Sequence, residues 1–184
     1  MRHAAHRLET VSASTPRLLC VRVVGIDPGL AACGYGVVEA SGAGSRAHAV
    51  AFGCWQTEAG LPVALRLREL FLALTELLAR QEPEAVALEE SFVGPDARGA
   101  LSVGQVRGAL LVACAKAGVA CAEYPPARVK QAVCGYGRAD KQQVQQMAKA
   151  ILGLEATPTP AHAADALAVA ICHALAPPLL RLAS

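Results

Sequence analysis

Aromatic side chains are scarce in this chain, at 4% of 184 residues. Aliphatic side chains must therefore do most of the packing, and the hydrophobic fraction of 54%, much of it alanine, is enough for a sizeable core. An excess of either charge is missing as well. The 17 Lys and Arg nearly balance the 15 Asp and Glu, leaving a formal charge of +2 and a pI near 8.2. Net charge alone gives no sign of nucleic-acid binding, so any basic surface has to be local. Repeats, low-complexity tracts and Cys-x-x-Cys pairs are also absent. The seven cysteines are an odd number and lie mostly in apolar runs. They read as reduced core residues of a cytoplasmic protein, and no Cys/His spacing fits a zinc site.

No apolar run reaches transmembrane length. The first nineteen positions carry Arg2, Arg7, Glu9 and Arg17 with no continuous apolar stretch, which argues against a signal peptide. The expected organisation is a disordered extension over 1–19, one domain over 20–176 and a short tail over 177–184, with no membrane partner.

What is present follows an order. Leu19 to Asp27 is a short β-branched run that stops at Asp-Pro-Gly and reads as a buried strand. Gly34 to Glu39 and Ala47 to Trp55 read as two further strands in antiparallel hairpins. Leu61 to Gln81 has helical period, with Leu67, Leu70, Leu74, Leu77 and Leu78 on one face. A strand over Glu84 to Glu90, a helix over Arg98 to Ala117 and a strand over Val119 to Tyr124 follow. Pro125-Pro126 opens a short helix, and Asp140 caps another that runs to Leu152. The last helix spans Ala161 to Leu175, with Thr159 placed to cap it and Pro160 at its first position. Three antiparallel strands followed by alternating helices and strands make an α/β fold: a mixed sheet with helices on both faces.

Four side chains stand out against this apolar background: Asp27, Glu89, His162 and Asp165. Each sits at a strand end or on the first turns of a helix. Asp27 taken alone is equally a turn-forming residue, and Glu89 with Glu90 taken alone is a loop pair. His162 and Asp165 are three apart and share a helix face, which on an exposed helix start would need no function. Together they make a metal pocket. Carboxylates ~5 Å apart repel by roughly 3 kcal/mol per pair at an effective dielectric of ~20, and a cation relieves that. The chemistry indicated is metal-dependent attack on an anionic substrate, most naturally a phosphodiester. Arg128, Lys130, Arg138 and Lys141 flank the Gly135-Tyr136-Gly137 break and suit a phosphate-binding groove, although surface lysines are ordinarily just solvated. The glycines would let Lys141 swing. Phe92, three positions after Glu89, suits a wedge or stacking platform for bases, or simple packing at the strand end.

Taken as a set, these stretches resemble the RuvC family of bacterial Holliday junction resolvases. The residues that carry the resemblance are Val23 to Gly29 with Gly34-Tyr35-Gly36, then Ala87 to Phe92, then Gly104 to Gly108. Glu123-Tyr124 with Arg128 to Gln131, Gly135 to Gly137 and His162 to Ala168 complete it, in the family's order, over about residues 21–175. The resemblance implies a ribonuclease H-like fold. It implies a homodimer that resolves four-way DNA junctions by paired nicks, with RuvA and RuvB as branch-migration partners. It assigns metal-ligand roles to Asp27, Glu89 and Asp165, and DNA contacts to Phe92, Lys130 and Lys141.

Position 162 is often aspartate in that family, and histidine is a variant also seen there. With two Mg²⁺ or Mn²⁺ ions per subunit, Asp27 would bridge both, Glu89 hold one, and His162 with Asp165 the other. Lys141 would stabilise charge on the scissile phosphate. An imidazole ligand favours Mn²⁺ over Mg²⁺ more than a fourth acid would, and must be neutral to bind, so activity should fall at acid pH. Three other readings fit parts of the pattern. An actin-like kinase needs a second domain and phosphate loop, a junction-binding module would not need all four ligands, and a nuclease acting on RNA hybrids is the nearest rival.

Overall fold

The computed structural model describes residues 20–41, 46–90 and 97–177. The expectations for Phe92, for a disordered 1–19 and for most of the tail lie outside the described residues.

Five strands form one sheet: β1 (Cys20–Asp27), β2 (Ala32–Ser41), β3 (Ala47–Gln56), β4 (Ala85–Glu89) and β5 (Ala120–Tyr124). The spatial order is β3-β2-β1-β4-β5. β1, β2 and β3 pair antiparallel, while β4 pairs parallel with both β1 and β5. Val23, Val24 and Ile26 of β1 are all fully buried, as expected of a central strand covered on both faces. Helices α1 (Val63–Gln81) and α2 (Ala97–Ala117) cover one face, enclosing Leu70, Leu74, Ile26, Leu88 and Leu110. Helices α3 (Pro126–Cys134), α4 (Lys141–Leu152) and α5 (Ala161–Ala174) cover the other, around Val23, Val38, Leu167 and Ile171.

The expected elements are present, with differences at their ends. β2 starts earlier, at Ala32, because its pairing with β3 continues to Ala32↔Gln56. Asp140 is the N-cap of α4 and forms a full capping box with Gln143. The start of α5 differs: Pro160 itself is the N-cap, and no side chain caps the helix. Thr159 does not do so. α2 is long and apolar enough to cross a membrane, which the sequence expectation did not allow for, but here it packs along α1 and buries Val106, Leu110, Ala113 and Cys114. Of the seven free cysteines, Cys33, Cys114 and Cys172 are buried, whereas Cys20 is exposed and the rest are half-buried.

The helix that matters most for the site is α5. It is apolar nearly all round and lies at the centre of its layer, touching β1, β2, β3, α3 and α4. It rests directly on the sheet because the sheet has glycines beneath it. A Cβ on Gly25 would sit 2.1 Å from the Ala166 carbonyl oxygen, and one on Gly34 would sit 2.0 Å from that of His162. Gly25 is paired with Gly36, and Gly34 with Asp27. The glycines form a shallow trough into which the first turns of α5 descend.

Candidate active site

The trough brings the two ends of the chain together. Asp27 closes β1 at the sheet's carboxyl end, and Glu89 closes the parallel neighbour β4. α5 delivers His162 and Asp165 on the same side. Ligand atoms of Asp27, His162 and Asp165 all lie within 4.8 Å of one another, and this is the one such cluster among the described residues. His162 Nδ1 is 2.7 Å from Asp27 Oδ2. If the imidazole donates through Nδ1, its Nε2 lone pair is left free to bind a cation.

Glu89 stands apart from that trio. It shares a cavity of about 210 Å³ with Lys130, Lys141 and Asp165. Burial, then Asp27 and Asp165, push its carboxyl up to about 7. Asp27 is also raised, first by burial and further by Asp165, against the lowering effect of its His162 hydrogen bond. These carboxylates are held in a place that resists their charge, which is the electrostatic signature of a cation site. The donor set, three carboxylates and an imidazole, suits a hard to borderline divalent metal.

Lys141 is the first residue of α4, and its Nζ donates to Asp165 Oδ2 at 2.7 Å. That bond, with Asp27 and Glu89 nearby, raises its pKa, so it remains an ammonium. The lysine does not swing on a loose glycine segment. The capping box fixes the start of α4, and the Tyr136 hydroxyl donates to Gln143 on the same turn. Lys130 projects from α3 toward Glu89. Arg128 is exposed on α3 and does not line that cavity.

Two supports escaped the sequence reading. Arg107 of α2 pairs with Glu123 of β5. The Tyr124 hydroxyl lies 2.8 Å from His173 Nδ1 in the buried interior, tying β5 to the far end of α5. Tyr124 is the register partner of Glu89, so this contact sets α5 against the strand pair that carries the second acid. The only signal for it in the sequence was a histidine inside an apolar helix.

Residues 23–173 match the family model described as crossover junction endodeoxyribonuclease RuvC. A crossover junction endodeoxyribonuclease RuvC of Desulfitobacterium hafniense is 49% identical over 152 residues, covering 83% of this chain and 91% of that protein. The structure of Thermus thermophilus RuvC superposes with a TM-score of 0.79 at 41% identity, covering 84% of this chain and 94% of that one. A second structure shows Thermus thermophilus RuvC in complex with a Holliday junction substrate, with a TM-score of 0.77, 39% identity, and the same shares of the two chains. The yeast mitochondrial resolvase Ydc2 shares the fold at 14% identity and a TM-score of 0.62. This chain belongs to the RuvC family of crossover junction endodeoxyribonucleases.

Proposed function

We propose that this chain resolves four-way DNA junctions by paired nicks, as a homodimer, using two divalent ions per subunit at Asp27, Glu89, His162 and Asp165. Endonucleolytic resolution of junctions is the activity of its family. The observation that carries the site assignment is the convergence of Asp27, His162 and Asp165 within 4.8 Å, with Glu89 across the same pocket and forced toward its neutral form.

The division of the four ligands favours two ions over one. Asp27, His162 and Asp165 cluster together, while Glu89 lies outside that trio and shares its cavity with Asp165, so Asp165 is common to both groupings. Asp27 Oδ2 is engaged by His162, so Oδ1 would be the oxygen open to a cation. Bound divalent ions supply an activated water and neutralise charge at the phosphorus. Mg²⁺ and Mn²⁺ both suit the carboxylates, and His162 tilts the set toward Mn²⁺. Lys141, already held at the rim by Asp165, offers its remaining N–H donors to a phosphate oxygen as charge develops there. Lys130 screens the same pocket, and Arg128 is exposed on the same helix, where it could meet a backbone phosphate. Ends with 5′-phosphate and 3′-hydroxyl would result. Phe92, three positions after Glu89 in the sequence, is assigned to the DNA by resemblance, and RuvA and RuvB are the partners implied in the same way.

A homodimer matches the two-fold symmetry of a junction. Its best-supported surface is the outer face of α2. Leu101, Gly104, Gly108, Leu111 and Val112 follow helical period there, with Leu101 65% and Val112 60% exposed. A Cβ on Gly104 or Gly108 would meet nothing. An apolar stripe with a flat centre suits close approach by the same helix of a second copy.

Cleavage of a labelled junction and of a linear duplex with the same arms, in Mg²⁺ and in Mn²⁺, tests the proposal. Paired, ligatable nicks in the junction alone are expected. Equal cutting of the duplex, or of an RNA–DNA hybrid in competition, would overturn it.

A further inference from the structure

A second cavity, of about 440 Å³, lies between the Gly135–Gly137 turn and the face of α4 turned away from Asp165. Its one aromatic lining residue is Tyr136, 44% exposed. The ring is fixed in place. The Tyr136 hydroxyl donates to Gln143 Oε1 at 2.6 Å, and that same oxygen accepts the Asp140 backbone N–H at 2.9 Å. With its hydroxyl engaged, Tyr136 presents a flat, held aromatic face. The thioether of Met147, 41% exposed, adds a soft apolar contact. Gln142 and Gln146 are four apart on α4, both exposed, and neither engages a side-chain partner among the described residues. Each amide both donates and accepts, which is what the edge of a nucleobase requires.

The lining carries no cation, and the Asp140 carboxylate is on its rim, so a phosphate is not the ligand. The phosphates have their partners alongside. Gln142 directly follows Lys141, whose ammonium reaches Asp165, and Arg138 is exposed on the turn before α4. The cavity and the metal centre are thus served by consecutive residues at the start of α4. The volume suits one small planar ligand, within the roughly 300–1,000 Å³ typical of such sites. A base inside a duplex cannot enter, because its edge is paired and its faces are stacked.

We propose that this cavity is a nucleobase subsite, which takes one unpaired base from the junction strand being cut and stacks it on Tyr136. The inference rests on the junction-cutting reading above and adds to it a residue that senses local unpairing.

The test is a cycle between protein and substrate. Junctions carrying a single abasic site at each position flanking the scissile phosphate are cut, in single turnover, by wild type, Tyr136→Leu, Tyr136→Phe and Gln146→Ala. At one position the abasic site should slow wild type and Tyr136→Phe by about tenfold, the usual worth of a base stacked on an aromatic ring. Tyr136→Leu should already be slowed to that extent on the intact junction and lose nothing more at that position. Gln146→Ala, which removes an exposed side chain from the helix, should show a reduced abasic penalty there and so covers the case of a misfolded leucine variant. Abasic penalties that simply multiply with both substitutions at every position would overturn the subsite. Failure of wild type to nick any intact junction would instead overturn the function on which it rests.

Discussion

His162 Nδ1 lies 2.7 Å from Asp27 Oδ2, joining residues 135 positions apart. The bond exists because Gly34, the register partner of Asp27, leaves room for the His162 backbone. The proposed metal centre is therefore as much a product of a missing methyl group as of its carboxylates.

Gly34→Ala should accordingly disable the site without touching a ligand. Its Cβ would fall 2.0 Å from the His162 carbonyl oxygen, so the start of α5 must lift. We expect a stability loss of about 1–3 kcal/mol from overpacking, together with loss of nicking. Gly60→Ala, where the nearest atom is 4.0 Å away, should change neither. Melting curves and junction cleavage on both variants check this.

The pH response of stability follows from Glu89. Its carboxyl is pushed up to about 7 in the folded chain from the 4.5 usual for a glutamate. The folded protein thus keeps a proton that the unfolded chain has already lost. The stability from this group is full below pH 4.5 and is lost as pH rises through 7, by at most roughly 3 kcal/mol. In EDTA, the melting temperature should fall over this window in wild type and stay flatter in Glu89→Gln. Added Mn²⁺ should restore the wild type alone. Parallel curves for the two proteins would contradict the assignment.

Much of this site was legible in the chain, and for a physical reason. Carboxylates at the ends of apolar strands, as at Asp27 and Glu89, read singly as turn or loop residues and stand out only as a set. His162 and Asp165 were marked by helical spacing. Other features were not readable because they depend on pairs that only the fold creates. The trough under α5 needs the register of Gly34 against Asp27, and the Tyr124–His173 contact needs β5 beside α5. At α5, Pro160 is the N-cap and not the first helical residue, a shift of one position that helical phasing does not resolve. Lys141 looked mobile from its glycines, yet the Tyr136–Gln143 contact and the capping box hold its helix start.

His162→Asp tests the ligand identity. Replacing the imidazole by a carboxylate makes the donor set harder, so the ratio of Mg²⁺- to Mn²⁺-supported cleavage should rise. An unchanged ratio would remove His162 from the ligand set.

Val112→Glu tests the proposed dimer surface. A charge in the middle of the α2 stripe should convert a dimer to a monomer in sedimentation while leaving the melting temperature nearly unchanged, because Val112 is 60% exposed. Nicks on the two strands should then become uncoupled.

Lys141→Ala should lower the nicking rate by roughly 10²–10³ while junction binding changes little, as expected of a group that acts on developing charge. A loss confined to binding would make it a phosphate anchor only.

The most direct test is Asp27→Asn on a labelled four-way junction, with binding and cleavage followed together in Mg²⁺ and in Mn²⁺. Asp27 is shared by the His162–Asp165 cluster and the Glu89 side, so its loss should abolish nicking in both metals and leave junction binding intact. Continued paired nicking by Asp27→Asn would contradict the account at its centre.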